Sequence, residues 1–361
     1  MAIKILLTNN SKTLDITELV QTITWSGDYQ QCARTLEFEL TASSFADKNV
    51  PVIKCELGSA VTLKQNSTIL FEGYIFERQK NTDSNVINIT CYDRGIYLKR
   101  NEAYYTFGGE TTEVITRRIC AEYDIKIGSI ATTGVKINRN FMGVSLYNII
   151  MTCYTIASEK TGKQYIVRFK NSELNVLEKK VTDETLVIEG GSNLISASTT
   201  ESIANVINQV VIYNSDDVLI KTQKNADSVK LYGLMQSYLK QSEGEDVTDK
   251  AKKMLLDNDV SQTIEINNLG NIANITGGTV VVREPYTGLY GLFYIDADTH
   301  TWKQGQYYNK LIVNFKNIMD EQEAGSLPNK SGSVTKDSKE SMDPVKTRNS
   351  RYSVGGAVYE Q

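Results

Sequence analysis

Histidine and proline are almost missing from this chain of 361 residues: it has one histidine, His300, and four prolines. A single histidine excludes histidine triads and multi-histidine metal cages, while a hydrolase working through carboxylates alone stays open. Cysteine is sparse as well. The five, at 32, 55, 91, 120 and 153, are odd in number and no two stand at C-x-x-C spacing. That excludes a disulfide framework or zinc knuckle and points to buried thiols made in a reducing cytoplasm. No run is long and apolar enough to cross a bilayer. The opening MAIKILLTNNSKTLDI lacks a small-residue cleavage site, so Ile3–Leu7 reads as a first strand and not as a signal peptide. Positive charge is not in excess either. A formal net charge of −4 argues against a surface built to grip nucleic acid.

What is present describes a soluble globular protein with room for two or three domains: 40% hydrophobic and 23% charged residues, and 20 tyrosines. The first hundred residues alternate with period two. In TLEFEL, Leu36, Phe38 and Leu40 point one way and Thr35, Glu37 and Glu39 the other. ILFEGYIFER is more evenly apolar and suits a strand buried on both faces or bent at Gly73. KQNST and KNTDSN are turn material between hairpin strands.

Near residue 100 the period changes. TTEVITRRICAEYD places Ile115, Ile119 and Tyr123 at helical spacing, with Thr111 as N-cap. SLYNIIMTCYTIASEKTG predicts a second helix capped by Ser145 and ended by Gly162. Strands return at about 188, interrupted by one amphipathic helix, TDKAKKMLLDN, with Thr248 as N-cap. The outline is mainly β: a β region over 1–98, a small α/β insertion over 99–187, a second β region over 188–320, and a polar C-terminal arm over 321–361. The arm has too little apolar surface to order itself alone, so it is either disordered or ordered on a partner through Tyr352, Val354, Val358 and Tyr359.

The stretch YIDADTHTW carries the most suggestive chemistry, Asp296, Asp298 and His300 at alternate positions. On an extended segment they share a face, but Asp296 and His300 then have Cα atoms roughly 13 Å apart, too far for three donors to converge on one ion. A calcium loop fails as well, because Thr301 and Tyr307 stand where glycine and glutamate are required. The sequence favours a hairpin instead: strands GLFYI and QYYNKLIVNF joined by DADTHTWKQG, with Gly305 supplying a positive φ. His300 then reads as a polar turn or surface residue, and Trp302 covers the hairpin end. Asp216–Asp217 and Glu243/Glu245/Asp246 read as solvated loop charges, and neither TFGGE nor ITGGT fits a phosphate-binding loop. No catalytic, cofactor-binding or metal residue is expected.

Several segments together resemble a known family. TWSGDYQQCARTLEFEL (24–40), ILFEGYIFER (69–78), CYDRGIYLKRNEAYYTF (91–107) and GLFYIDADTHTWKQGQYYNKLIVNF (291–315) are similar, in order, to the XkdQ/YqbQ-type tail hub proteins of Gram-positive prophages and phage-tail-like bacteriocins with contractile tails. The resemblance implies two tail-tube-like β-barrel domains flanking the α/β insertion. It implies a homotrimeric ring whose six tube domains imitate one layer of a six-fold tail tube, with the tube protein above and a three-fold spike below. Other baseplate or LysM-type tail proteins and the tape measure are further implied partners. The location implied is the baseplate of a virion or bacteriocin particle, assembled in the bacterial cytoplasm. The role implied is structural, with no cofactor, no membrane insertion and no sequence-specific nucleic acid binding. Two other readings compete: a peptidoglycan-degrading tail enzyme, and a carbohydrate-binding module using the tyrosines as platforms.

Overall fold

Alternating side chains build most of the molecule. The computed structural model describes residues 3–41, 52–80, 86–182, 185–242 and 246–327. Seven strands make the first β region: β1 (Ile3–Asn9), β2 (Lys12–Asp15), β3 (Val20–Asp28), β4 (Thr35–Thr41), β5 (Ala60–Gln65), β6 (Thr68–Lys80) and β7 (Val86–Asp93). They lie in the order β3-β4-β7-β6-β5-β1-β2. Leu36, Phe38 and Leu40 of β4 turn inward, as their period predicts, onto Ile5, Leu7, Leu63 and Ile89. Gly73 is where β6 and β7 close: a Cβ there would sit 2.3 Å from the Tyr92 carbonyl oxygen, so only glycine permits the approach.

The insertion follows: α1 (Gly95–Arg100), β8 (Glu102–Thr111), α2 (Thr112–Glu122), β9 (Ile127–Ile130), β10 (Lys136–Ser145), α3 (Leu146–Thr161), β11 (Gln164–Lys170) and β12 (Glu173–Lys179). Its strands form a β10-β8 ribbon and a three-stranded β11-β12-β9 sheet. The α3 helix is capped as its sequence predicts. Ser145 Oγ accepts from the Asn148 N–H at 3.2 Å, and Gly162 ends the helix at φ 71°. Leu146, Ile149, Ile150, Cys153 and Ala157, the face read from the sequence, are all buried in one core with Phe107, Ile115, Ile119 and Tyr165.

The remaining strands are β13 (Leu186–Glu189), β14 (Leu194–Ser202), β15 (Gln209–Tyr213), β16 (Leu219–Lys224), β17 (Gln236–Lys240), β18 (Ser261–Leu269), β19 (Thr279–Glu284), β20 (Leu289–Lys303) and β21 (Gln306–Asn314). Two helices accompany them, α4 (Ala226–Tyr232) and α5 (Thr248–Asp257), where the sequence suggested one. At seven residues α4 is too short to display a helical period. The α5 helix begins at Thr248 itself, with Val247 at the cap position. Strands β16-β15-β17 and α5 make a small lobe over a core of Val210, Ile212, Val247 and Ala251.

The other strands do not form a separate domain sheet. The long β20 pairs β21 along one edge; along the other, its first half pairs β19 and its last half pairs β3. Both β regions thereby belong to one thirteen-stranded sheet, whose main path is β14-β18-β21-β20-β3-β4-β7-β6-β5-β1-β2 and from which β19 and then β13 branch at β20. This corrects the barrel expectation. The described strands form large antiparallel sheets and not closed barrels, because β14 and β2 end the sheet without meeting and β3 occupies the edge of β20 that closure would need.

After β21 the chain crosses back over the insertion. Met319 enters its core, and the Gln322 and Ala324 N–H groups donate to Thr155 and Thr152 on α3. Ser326 pairs with Asn140 of β10, where Gly325 approaches so closely that a Cβ would lie 2.2 Å from the Asn140 carbonyl oxygen. The described residues up to Leu327 form one compact unit. Of the C-terminal arm read over 321–361, residues 328–361, with Tyr352, Val354, Val358 and Tyr359, lie outside the described residues, as do Glu243 and Glu245.

Candidate functional site

One extra residue in β20 decides where its polar side chains go. Ile295 pairs with Val313 and Ala297 with Ile312, so Asp296 is bulged out of register. Before the bulge Phe293 and Ile295 face inward; after it Asp296, Asp298, His300 and Trp302 do. The stretch read from sequence as a hairpin connection is therefore strand up to Lys303, and the turn is Gln304–Gly305, with Gly305 at φ 75° as expected. The reading of His300 as a turn or surface residue is corrected too: it is 0% exposed, and Asp298 is 1% exposed. An interior strand opposite β3 leaves neither side chain a route to water.

Asp298 is the centre of a buried network. Its Oδ1 accepts from Arg34 Nη1 at 2.9 Å, from the Thr276 N–H at 2.6 Å and from Thr276 Oγ1 at 2.5 Å. Its Oδ2 takes the second guanidinium nitrogen of Arg34 and lies 3.1 Å from His300 Nε2. Burial opposes ionisation, but Arg34 and the hydrogen bonds from His300 and Arg34 outweigh it and hold the carboxyl well below the usual range. Arg34 reaches Asp298 across Gly27 of β3, where any Cβ would sit 2.2 Å from the guanidinium. The guanidinium also lies 4.1 Å from the Trp25 ring centroid.

His300 is fixed by partners of unambiguous role. The Asn274 carbonyl, 3.0 Å from Nε2, can only accept, so Nε2 carries the proton. Nδ1 accepts from Asn309 Nδ2 at 2.9 Å and lies 2.6 Å from the Tyr307 hydroxyl. The Asn309 amide is itself oriented, because its Oδ1 accepts the Asn271 N–H at 2.7 Å. Trp25 packs 4.7 Å from the imidazole, and Trp302 stacks on Tyr307 at 4.5 Å.

Asp296 faces a different partner. Lys179, the last residue of β12, donates to the Ile318 carbonyl at 2.6 Å and approaches Asp296 Oδ1 at 3.4 Å. Burial pushes the Asp296 carboxyl up to about 6 against the pull of Lys179, and burial draws the Lys179 ammonium down. Burial also raises Asp28 and Asp320 nearby, and Tyr147 donates to Asp320 at 2.8 Å. Here the first β region, the insertion and the segment after β21 meet.

Sequence reasoning placed Asp296, Asp298 and His300 on one face but missed the residues they bind: Arg34, Lys179, Asn274, Thr276, Tyr307 and Asn309. Once the bulge sets Asp298 in the buried phase of its strand, a cation partner is required, but nothing in the sequence marks that phase. Among the described residues no three or more His, Cys, Asp or Glu side chains gather to hold a metal ion. Asp216 and Asp217 lie in an exposed turn, where Asp217 pairs with Lys240 at 2.6 Å, and Asp246 accepts the Thr248 N–H. The five cysteines are free and buried, and burial pushes the Cys120 and Cys153 thiols up to about 12. The arrangement clamps strands together; Asp298 and Asp296 are each spent on a cation from another element.

Known proteins share this architecture. A 43 kDa tail protein of prophage MuSo2 from Shewanella oneidensis superposes with a TM-score of 0.65 at 14% identity, covering 86% of this chain and 98% of its own. A tail protein of Neisseria meningitidis MC58 gives 0.59 at 12% identity, covering 87% and 96%. The class is thus set: the fold is that of phage tail proteins. Among curated sequences, the Phage-like element PBSX protein XkdQ of Bacillus subtilis is 24% identical over 320 residues, 84% of this chain and 95% of that protein. The YQBQ-like family model matches residues 23–314, and the chain belongs to that family of phage tail-type structural proteins.

Proposed function

We propose that the chain is a structural hub of a phage-tail or bacteriocin baseplate. Three copies close a ring that joins a six-fold tail tube to a three-fold spike, and the ring performs no reaction. The observation that carries this reading is the single sheet running through both β regions, whose main path among the described residues ends at β14 and β2. A heterologous ring needs two unlike edges on each subunit, one to offer and one to receive. The division into β regions over 1–98 and 188–320 with an insertion over 99–187 belongs to the same proposal. So do the tube, spike, tape-measure and LysM-type partners and assembly in the bacterial cytoplasm. The burial of Asp296 and Asp298 against Lys179 and Arg34 supports the non-enzymatic part, since neither carboxylate is offered to a substrate.

Electron microscopy of assembled particles tests the proposal directly, with three copies expected at the junction of tube and spike. Light scattering of the purified chain adds a second readout. A strictly monomeric protein that is absent from the tail tip overturns the reading. A clear zone on a cell-wall gel that disappears in Asp298→Asn, with the fold retained, overturns its non-enzymatic part.

A further inference from the structure

Where β6 pairs with β7 and the chain enters α1, aromatic rings gather at the surface. Phe76 packs edge-on to Tyr92 at 5.5 Å and lies 6.1 Å from Tyr97; Tyr97 in turn lies 6.3 Å from Tyr74. Phe76 and Tyr97 are 38% and 40% exposed, and their contact makes them part of one contiguous patch, the kind of exposed apolar surface that marks interaction sites. Next to them opens a cavity of about 280 Å³ lined by Arg94, Tyr97, Asn101, Tyr123, Ile125 and Leu146.

The cavity is assembled from three elements. Arg94, Tyr97 and Asn101 are three and four residues apart through α1 and its caps, which puts them on one face. Tyr123 follows α2, and Leu146 opens α3. The Asn101 side chain is held by the Tyr97 carbonyl at 2.8 Å. Among the described residues no ion pair or side-chain hydrogen bond engages the guanidinium of Arg94 or of Arg100. From 94 to 101 the chain, RGIYLKRN, has three cations and no acid. Lys99 turns the other way, over the Tyr147 ring at 5.8 Å, and the nearest acid in sequence to Tyr123 on its C-terminal side is Asp124.

We infer that this face docks an acidic peptide segment from a partner tail protein. An apolar anchor enters between Tyr97 and Tyr123 onto Leu146 and Ile125. A carboxylate beside the anchor takes the Arg94 guanidinium, and the flanking peptide lies on Phe76, Tyr92 and Tyr74. Tyrosine and arginine around a pocket are the composition of protein-binding hot spots. An unpaired guanidinium calls for an anion in two-pronged geometry, which a neutral sugar cannot offer although it too would use the rings. That the partner is a tail protein rests on the function proposed above; the peptide chemistry does not.

The purified full-length chain is used as bait for a displayed library of short random peptides. Enriched peptides are expected to carry Asp or Glu beside an aromatic or large aliphatic residue. Their binding should fall by about tenfold or more in Arg94→Glu and in Tyr97→Ala, while Arg94→Lys keeps part of it. Thermal melting checks that the variants are folded. No enrichment, or equal binding to Arg94→Glu, overturns the inference; so does Arg94-dependent binding of soluble peptidoglycan fragments in place of peptides. In assembled particles, a photo-crosslinking amino acid at position 97 should join the chain to another tail protein. A crosslink to a second copy of the chain, or none, overturns the partner assignment. Particles that lack the chain overturn the hub reading and leave the peptide result standing.

Discussion

Arg34 meets Asp298 through two guanidinium nitrogens, whereas Lys179 reaches Asp296 through one ammonium at 3.4 Å. Both pairs are buried and both aspartates come from β20, two residues apart. Their titrations are opposite: Asp298 is held below the usual carboxylate range and Asp296 is pushed up to about 6. The difference comes from how many donors each carboxylate receives for its desolvation. Asp298 has the fork of Arg34, the Thr276 amide and hydroxyl, and His300. Asp296 has the Asn314 side chain and one distant lysine whose best contact is elsewhere, with the Ile318 carbonyl. The first pair, reaching across Gly27 of β3, locks β20 to the residue that precedes β4 and so unites the two β regions. The second lies where the insertion leans on the sheet, and its charge state can change near neutral pH.

The comparison is broken most sharply at Asp298. Asp298→Ala leaves Arg34 buried, and a guanidinium cannot shed its proton to adapt. The cost is expected near 3–5 kcal/mol, the range for halving a buried ion pair. Denaturant unfolding should show a large fall in midpoint, and proteolysis should expose the β3–β20 junction. A loss as small as that of an exposed ion pair would mean the seam does not hold the β regions together.

Lys179→Met is the matching change at the second seam and should cost less, about 1–3 kcal/mol. Its orphan is a carboxyl already raised by burial, which neutralises itself by binding a proton. At pH 7 that proton costs only about 1.4 kcal/mol for each unit between the pH and the group's pKa. Unfolding measured at pH 5 and at pH 7 checks this: the variant should lose less at pH 5. An equal loss at both would show that the Ile318 hydrogen bond, and not charge, makes Lys179 matter.

How much of this was legible in the sequence depended on whether the cause was local. The β4 alternation, the α3 caps, the Gly305 turn and the buried thiols follow from neighbours in sequence, and the structure repeats them. Gly73 was legible as a special point, and its reason, the Tyr92 carbonyl, lies on the next strand. The face shared by Asp296, Asp298 and His300 could be read from their spacing. Whether that face was core or solvent could not, because the bulge at Asp296 reverses the phase of β20 and nothing in YIDADTHTW marks it. The union of the β regions through β3 and β20 joins residues about 270 positions apart, as in His300 opposite Trp25. No local period carries that information. The quoted family segments held both halves of it: Trp25, Gly27 and Arg34 in one, Asp298 and His300 in the other.

The finest distinction between the seams is their response to pH. Asp296 binds its proton more tightly folded, at about 6, than the 3.8 of an unperturbed aspartate. Its contribution to stability is therefore complete below pH 3.8 and is lost as the pH rises through about 6. Asp93, which burial pushes up to about 7, acts in the same direction. Asp298, with a depressed value, contributes above pH 3.8 and is lost only in stronger acid. Between about pH 4 and pH 7, then, the second seam should weaken while the first stays constant, and the melting temperature should fall across that window. Asp296→Asn removes one titration and should flatten the fall, leaving the part due to Asp93, Asp28 and Asp320; at pH 5 and below it should change little. A fall of the same steepness in Asp296→Asn would assign the pH response to Asp93 and its neighbours, and would make the two seams equally static.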